Sequence, residues 1–289
     1  MQAGFIGLGA MGASMARNLH RAGLLAAVWN RTPDKAQDLA AETGCAVARD
    51  PAELASRCDV VVLCVSADAD VLEVVAAMGS GFGADSIVVD CSTVAASTAR
   101  EAAEIAAGRG AAFLDCPVSG GTEGAARGTL AIMAGGEAEA LDRAMPALEA
   151  MGRSIVHMGP VGTGQATKAV NQIMVAGINQ AVSEALAFGE AQGLPMDRVI
   201  EVVGSGAAGN WFLSNRGPGM VRGSYPPGFK LALHDKDLAI CQQMAAEKGV
   251  QLPVIEMTRL HYSRLLEDGH GDEDISALHR TKRALFRED

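Results

Sequence analysis

Residues 3–12 read AGFIGLGAMG, and they are the strongest indication of architecture in this chain. The first four residues form a short apolar run typical of a buried strand, and three glycines follow in the spacing G-x-G-x-x-G. A helical apolar pattern and a second strand at 26–29 come next, so the glycines lie within one strand–helix–strand unit. In that context the spacing predicts a dinucleotide-binding turn, whereas an isolated glycine-rich turn would be merely structural.

Each of the three glycines has its own physical task in such a turn. Gly7 permits the tight turn, Gly9 lets a pyrophosphate approach the backbone, and Gly12 allows the helix to pack closely on the strand. The first turn of the helix also offers N–H groups that have no partner within the helix and can bind phosphate oxygens. The predicted cofactor contacts in this turn are Gly7, Leu8, Gly9, Ala10, Met11 and Gly12.

The end of the second strand indicates which dinucleotide is bound. NAD-binding proteins usually place Asp or Glu there to accept hydrogen bonds from the ribose, whereas this chain has Asn30, Arg31 and Thr32. A guanidinium can hold a 2′-phosphate through charge-assisted hydrogen bonds, and a carboxylate would repel it. The sequence therefore favours NADP(H) over NAD(H), with these three residues as contacts. The alternative is that Arg31 only points into solvent.

Strand-like runs continue to alternate with helical segments as far as residue 158. The further runs are 59–65, 87–90, 112–114, 129–134 and 154–158. Continuous apolar runs are typical of parallel strands that are buried on both faces. We therefore expect an α/β protein whose first domain, residues 1–162, is a Rossmann-type doubly wound sheet. Ser66 and Thr93 follow two of these strands and are expected at the carboxyl edge of the sheet, where ligands bind.

Residues 163–289 lack strand-like runs and predict an all-helical second domain for substrate binding and dimerisation. One long helix is expected from Gly164 to about Ala191, apolar around most of its circumference and therefore buried. A Gly/Pro-rich interruption from Gly204 to Gly228 could close over a site. The next helix contains HDKDL (234–238), a charged cluster of the kind that usually lies at a surface or a helix cap.

The junction between the two parts reads GTGQATKAVNQ (162–172). On a helix, Lys168 lies on the same face as Asn171 and Gln172, because these residues are three and four positions apart. A cationic proton donor beside two amides is a plausible catalytic face, and the alternative is a solvated polar patch. Upstream, Ser119-Gly120-Gly121 offers a hydroxyl and two unscreened amides that could bind a carboxylate, although a plain turn fits its spacing equally well.

Composition bounds the classes of function that are possible. A length of 289 residues favours two domains, and the formal charge of −10 argues against a broad nucleic-acid-binding surface. The six cysteines show no C-x-x-C spacing and resemble buried hydrophobes, which favours the reducing cytoplasm. We find no signal-peptide pattern, no apolar run near the ~18 residues of a membrane span, and no metal-ligand spacing among the six histidines.

Four motifs together resemble the β-hydroxyacid dehydrogenase family, which includes 3-hydroxyisobutyrate dehydrogenase, tartronate semialdehyde reductase and the glyoxylate/succinic semialdehyde reductases. In chain order they are GFIGLGAMGASMARNL (4–19), DCPVSGGTEGAARGTL (115–130), GTGQATKAVNQ (162–172) and HDKDL (234–238). They cover essentially the whole chain, and each alone is only modestly specific. The resemblance implies an NADP(H)-dependent oxidoreductase that transfers hydride between nicotinamide and a small β-hydroxy acid or semialdehyde.

The resemblance also implies roles for individual residues. Lys168 corresponds to the general acid/base, which donates a proton to the developing alkoxide in reduction and removes the hydroxyl proton in oxidation. Ser119, Gly120 and Gly121 correspond to the site that holds the substrate carboxylate, and Asn171 corresponds to a residue that orients the substrate.

Further positions carry over to the cofactor region. Lys236 corresponds to a lysine that closes on the substrate and the nicotinamide, and Thr93 to a residue that lines the nicotinamide pocket. The family often has Leu-Pro after the fourth strand, where this chain has Cys64-Val65-Ser66. Val65 and Ser66 are still expected to meet the cofactor, but the atoms that do so do not follow from the resemblance.

Two other interpretations remain open, an imine reductase-like enzyme and a non-catalytic cofactor-binding relative. Imine reductases typically lack a lysine at the position of Lys168, and a non-catalytic relative should have lost it, so its presence argues against both. The apolar second half and the family both suggest a homodimer or homotetramer. A carboxylate anchor is generic, so the sequence indicates a class of substrate and no single compound.

Overall fold

The computed structural model describes residues 1–83 and 85–286, which divide after Lys168 into two compact units. The domain boundary expected from the sequence, after residue 162, lies immediately before a long helix. The compact units instead divide inside that helix, so its first residues, Thr163 to Lys168, belong to the first unit.

Within the described residues, the first unit contains a nine-stranded sheet. Its strands are β1 (Ala3–Ile6), β2 (Leu25–Trp29), β3 (Ala46–Val47), β4 (Val60–Leu63), β5 (Ile87–Asp90), β6 (Ala112–Asp115), β7 (Val118–Ser119), β8 (Leu130–Gly135) and β9 (Gly152–Gly159). They lie in the order β3-β2-β1-β4-β5-β6-β8-β7, with β9 paired to β8. The pairs from β3 to β6 are parallel, whereas β8 runs antiparallel to β6 and β7.

Seven helices accompany these strands in the described part of the first unit. They are α1 (Gly12–Arg21), α2 (Pro33–Thr43), α3 (Pro51–Ser56), α4 (Asp68–Met78), α5 (Ala96–Ala107), α6 (Gly121–Arg127) and α7 (Ala138–Met151). Proline occupies the first position of α2 and α3, where its missing N–H costs no helical hydrogen bond. Asp50 caps α3 by accepting a hydrogen bond from the backbone N–H of Glu53 at 2.8 Å.

Alternate residues of the central strands point into two apolar cores, one on each face of the sheet. Phe5, Val60 and Val62 belong to one core, together with side chains from α1, α2 and α7. Ile6 and Val61 belong to the other, together with side chains from α3, α4 and α5. Because both faces are covered by helices, the strands can be continuously apolar. The predicted α/β fold with a doubly wound sheet is confirmed.

Apart from an isolated bridge between Lys230 and Asp274, the regular secondary structure in the described residues of the second unit is helical. The elements are α8 (Thr163–Ala191), which begins in the first unit, α9 (Met196–Gly204), α10 (Trp211–Val221), α11 (Leu231–Ala246), α12 (Pro253–Glu267), a 3₁₀ helix (Ile275–Ala277) and α13 (Leu278–Ala284). Leu186, Leu238 and Ile255 are among the buried side chains of its single apolar core. None of the described helices combines the length and the apolar character that crossing a membrane requires.

The expectation of a Gly/Pro-rich interruption from Gly204 to Gly228 is wrong for its middle part, where α10 forms. Asn210 caps this helix, since its side-chain oxygen accepts a hydrogen bond from the N–H of Leu213 at 2.8 Å. Met220 is fully buried in the core, although Pro218 lies within the helix. Burial of the apolar face therefore outweighs the poor helix propensity of this segment.

The expectation that α8 is buried nearly all round is also wrong for one face. Val170, Met174 and Phe188 are all more than half exposed in the single chain. The apolar residues of α8 therefore exceed what the core of one chain covers.

A buried polar network ties four elements of the second unit together. Asn179 on α8 donates hydrogen bonds to the hydroxyl of Tyr262, at 3.1 Å, and to the carbonyl of Ile275, at 2.8 Å. The same hydroxyl lies 2.9 Å from Nδ1 of His234 on α11. Burial raises the pKa of Tyr262, so the phenol stays neutral and can donate. His234 therefore has a structural role in the core.

In the second unit, His279 on α13 is fully buried. We expect this histidine to make the stability of the protein sensitive to acid. Burial, helped by the nearby Arg283 guanidinium, lowers the pKa of His279 from 6.5 to about 4. Between these values the unfolded chain binds a proton that the folded chain does not, so stability is lost as the pH falls from 6.5 towards 4. Between pH 7 and pH 5, we expect this residue to reduce the free energy of unfolding by about 2 kcal/mol.

Urea denaturation at the two pH values tests this expectation. His279→Phe should remove most of the pH-dependent loss, whereas His20→Gln, at an exposed histidine of the first unit, should leave it unchanged. An equal pH dependence in wild type and His279→Phe would show that another group is responsible.

Candidate active site

The glycine-rich turn between β1 and α1 has the geometry that its spacing predicts. Gly7 has a φ of 95°, and a Cβ there would lie 2.2 Å from the carbonyl oxygen of Cys64. A Cβ at Gly12 would lie 1.9 Å from the carbonyl oxygen of Gly7. By contrast, a Cβ at Gly9 would have no heavy atom within 4 Å. Gly7 and Gly12 are thus required by the turn itself, while the backbone at Gly9 is open to an incoming group, as a dinucleotide phosphate requires.

Asn30, at the end of β2, braces this turn. Its Oδ1 accepts a hydrogen bond from the N–H of Leu8 at 2.8 Å, and its Nδ2 donates to the carbonyl of Thr32 at 2.9 Å. The structure therefore places Asn30 against the glycine-rich turn, which the sequence pattern did not indicate. An amide can make both bonds because it carries a donor and an acceptor.

Arg31 follows Asn30 and forms an ion pair with a residue that the sequence analysis did not single out. Its Nη1 lies 2.7 Å from Oδ1 of Asp70, on the first turn of α4. The Arg31 side chain is 77% exposed and that of Asp70 only 20%. The guanidinium at this edge is therefore accessible, although it already has an anionic partner.

The segments that follow β4 and β5 are held by side chains around Thr93. Val65 donates its N–H to Oγ of Ser92 at 2.9 Å. Gln165, in the first turn of α8, donates to the carbonyl of Ser92 at 2.8 Å and accepts from the N–H of Val94 at 3.2 Å. The backbone on both sides of Thr93 is therefore fixed by a single buried glutamine, which pattern reasoning missed because its contacts lie more than 70 residues away.

Asp115, at the end of β6, holds the start of α8. Its two carboxylate oxygens accept hydrogen bonds from the N–H groups of Gly162 and Gln165, both at 2.8 Å. Burial raises the pKa of Asp115, and these N–H groups act in the opposite direction. A Cβ at Gly164 would lie 2.3 Å from the Asp115 carbonyl oxygen and 2.4 Å from that of Met133. The first turn of α8 is therefore pressed against the sheet and capped by a buried carboxylate.

Lys168 lies one turn further along α8 and is 7% exposed. Its Nζ donates a hydrogen bond to the carbonyl of Val118 at 2.8 Å. Val118 directly precedes Ser119-Gly120-Gly121, in which both glycines have positive φ values, 135° and 62°. The first unit therefore brings the predicted acid/base lysine beside the predicted carboxylate-binding turn. Val118 and Ser119 form the strand β7, which was not predicted from the sequence because it has only two residues.

The predicted site residues of the second unit, Asn171 and Lys236, are connected through Gln172 and Asp237. Asn171 donates to Oε1 of Gln172 at 2.8 Å, and Gln172 donates to Oδ2 of Asp237 at 2.6 Å. Oδ1 of Asp237 lies 2.9 Å from Nζ of Lys236. Gln172 and Asp237 are buried, whereas Asn171 and Lys236 are partly exposed.

This arrangement corrects the surface interpretation of the HDKDL cluster. His234 and Asp237 are 0% and 4% exposed, so half of its charged or titratable side chains face the core. Asp237 is placed where it can hold both Lys236 and, through Gln172, Asn171. The helical spacing of three residues between His234 and Asp237 was the signal that could have revealed this buried face.

Comparisons with known proteins identify the family. Residues 2–159 match the NAD binding domain of 6-phosphogluconate dehydrogenase, and residues 162–281 match the NAD-binding model of NADP-dependent 3-hydroxyisobutyrate dehydrogenase. The chain belongs to the β-hydroxyacid dehydrogenase family. As a β-hydroxyacid dehydrogenase it is an NAD(P)-dependent oxidoreductase that acts on the CH–OH group of small hydroxy acids.

Individual relatives match this β-hydroxyacid dehydrogenase over almost its entire length. The NAD-dependent L-serine dehydrogenase of Pseudomonas aeruginosa is 38% identical, over 96% of this chain and 97% of that protein. Glyoxylate/succinic semialdehyde reductase 1 of Arabidopsis thaliana is 32% identical over 96% and 97%. The solved structure of Mycobacterium tuberculosis 3-hydroxyisobutyrate dehydrogenase with L-serine has a TM-score of 0.89 and 33% identity, over 98% of this chain and 100% of that one.

Proposed function

We propose that the enzyme transfers hydride between NADP(H) and the carbonyl or alcohol carbon of a small β-hydroxy acid or semialdehyde, with Lys168 as general acid/base. The observation that carries this proposal is the bond from the buried Lys168 ammonium to the Val118 carbonyl, directly before Ser119-Gly120-Gly121. It puts a proton donor beside a turn suited to a carboxylate. The nicotinamide supplies the hydride chemistry, and the protein supplies orientation and the proton.

The role proposed for Lys168 covers both directions of the reaction. In reduction the ammonium donates a proton to the oxygen on which negative charge develops; in oxidation the neutral amine accepts the hydroxyl proton. An ammonium has three N–H donors, and the Val118 carbonyl fixes the direction of one of them. The Asp115 cap and Gly164 hold the preceding turn of α8 against the sheet, so the lysine starts from a rigid backbone.

The substrate carboxylate is proposed to bind at Ser119-Gly120-Gly121. The positive φ values of both glycines turn the backbone sharply, and the missing side chains leave the N–H groups unscreened. A hydroxyl and successive amide N–H groups form the kind of concavity that binds small anions.

Two residues of the second unit are proposed as further substrate contacts. Asn171 supplies an amide and Lys236 a cation, and Lys236 is also expected near the nicotinamide. The buried Asp237 supports both, directly for Lys236 and through Gln172 for Asn171. Such support limits the side-chain freedom that would otherwise be lost on binding.

NADP(H) is the proposed cofactor because Asn30 stands where an NAD-binding protein usually has a carboxylate, and the next side chain, Arg31, is exposed for a 2′-phosphate. One similar protein is named as NAD-dependent. The proposed preference is therefore a higher kcat/KM with NADP(H) than with NAD(H). We also infer a homodimer or homotetramer, which the exposed apolar face of α8 supports.

A substrate panel tests the proposed function. Glyoxylate, succinic semialdehyde, tartronate semialdehyde and methylmalonate semialdehyde would be tried with NADPH and NADH, and their alcohols and L-serine with the oxidised cofactors. L-serine is included because it is itself a β-hydroxy acid and appears in the names of two similar proteins. We expect turnover of at least one compound, with kcat/KM about tenfold higher for NADP(H). Absence of turnover with every pair would refute the proposed substrate class.

A further inference from the structure

The Arg31–Asp70 ion pair spans the edge of the sheet at which a dinucleotide is expected to bind. Arg31 follows β2, and Asp70 lies on α4, which follows β4. In the sheet these two strands lie on either side of β1, with Trp29 and Leu63 both paired to Ile6. The glycine-rich turn continues from Ile6. The ion pair therefore joins the two sides of the crevice above the carboxyl end of β1.

Asn30 is uncharged and braces the backbone of the turn, so the charged groups at this edge that can distinguish the two cofactors are those of the ion pair. In an NAD-binding protein the residue at the end of β2 contacts the ribose hydroxyls. Here Oδ1 of Asn30 is bonded to the N–H of Leu8, and Nδ2 to the carbonyl of Thr32. The next side chain, Arg31, is the cation available to a 2′-phosphate, and its Nη1 is bonded to Asp70 at 2.7 Å.

We propose that Asp70 is a specificity residue that lowers the affinity for NADP(H) relative to NAD(H), by competing with the 2′-phosphate for Arg31. This inference rests on the proposed dinucleotide site and on Arg31 as the phosphate ligand. A phosphate monoester carries a charge of about −1.5 to −2 at neutral pH. It must therefore displace the Asp70 carboxylate from Arg31 or share the guanidinium beside it. NAD(H) has hydroxyl groups at this position and meets no such repulsion.

The expected size of the effect follows from the exposure of the pair. Asp70 is the more enclosed partner, at 20% exposed, so it stays close to the site even when the mobile guanidinium turns away. Exposed ion pairs are weak, and salt screens the repulsion between a carboxylate and a phosphate. We expect removal of the Asp70 charge to raise the affinity for NADPH about 3- to 10-fold and to leave that for NADH unchanged.

Direct binding measurements on the full-length protein test the proposal without any knowledge of the substrate. Dissociation constants for NADPH and NADH would be measured from the fluorescence of the reduced nucleotides, for wild type and Asp70→Asn. We expect the ratio Kd(NADH)/Kd(NADPH) to rise about 3- to 10-fold in the variant, and by less in 0.5 M salt. Glu73→Gln removes one charge from the same helix, one turn further on, and should leave the ratio unchanged.

Arg31→Ala separates this inference from the proposed cofactor site. The alanine variant should lose affinity for NADPH. When Asp70→Asn is added to Arg31→Ala, the ratio Kd(NADH)/Kd(NADPH) should rise by clearly less than it does when Asp70→Asn is made in the wild type. An unchanged or lower ratio in Asp70→Asn alone, or an equal rise in Glu73→Gln, would overturn the role of Asp70. If the wild type binds NADH more tightly than NADPH, the NADP preference is refuted. The change in Kd(NADH)/Kd(NADPH) caused by Asp70→Asn would still decide the role of Asp70.

Discussion

Replacing Lys168 with alanine should lower kcat by about 10²- to 10⁴-fold, the range expected when a general acid/base is removed. The lysine is buried, and its ammonium is directed by the Val118 carbonyl towards the turn that precedes α6. Without it, the alkoxide that forms during reduction loses its proposed proton donor, so the loss should fall on kcat. The affinity for NADPH should stay within about twofold, because the predicted cofactor contacts do not include Lys168.

The control and the readouts for this prediction follow from the location of the lysine. Lys248→Ala, at an exposed lysine after α11, should retain wild-type kcat and checks for effects of charge alone. A small primary amine added to Lys168→Ala should restore part of the activity, because it can occupy the space left by the side chain and supply the proton. Undiminished turnover in Lys168→Ala would mean that another group is the acid, whatever its effect on stability.

Elements whose burial produces a recognisable local pattern of apolar residues could be predicted from the sequence. The run at 60–63 is apolar at every position because both faces of β4 are covered, and such a run can be recognised without a structure. The turn at 7–12 was equally readable, since glycine spacing reflects backbone geometry directly. By contrast, β7 is a two-residue strand whose pairing with β8 has no periodicity of its own. α10 forms because burial outweighs local propensity.

The candidate site was less readable, because its supporting contacts are distant in sequence. Asp115 lies inside a recognised motif, yet its partners are the backbone N–H groups of residues 162 and 165. No spacing rule relates these positions. Asp70 and Asp237 are ordinary surface-type residues in the sequence, and only the fold places one against Arg31 and the other against Gln172. Resemblance to a family supplied candidate roles, but not the side chains that hold those candidates in place.

The glycines of the nucleotide turn should respond to substitution in opposite ways, although all three belong to one motif. In Gly12→Ala the new methyl group would meet the carbonyl oxygen of Gly7 at 1.9 Å and the ring of Phe5 at 3.0 Å. The carbonyl belongs to the backbone of the turn, so relief requires α1 to move away from β1. We expect a loss of about 3 kcal/mol in the free energy of unfolding, measured by urea denaturation without cofactor.

Gly9→Ala should leave the cofactor-free protein as stable as wild type, because a methyl group there has no heavy atom within 4 Å. The same open space is where a pyrophosphate must approach the backbone, so the affinity for NADPH should fall by at least about tenfold. The pair therefore separates two reasons for glycine, packing at Gly12 and ligand access at Gly9. A Gly9→Ala protein that is stable and binds NADPH normally would show that the dinucleotide does not pass over this turn. The function assigned to the first twelve residues would then fail, even though their fold is correct.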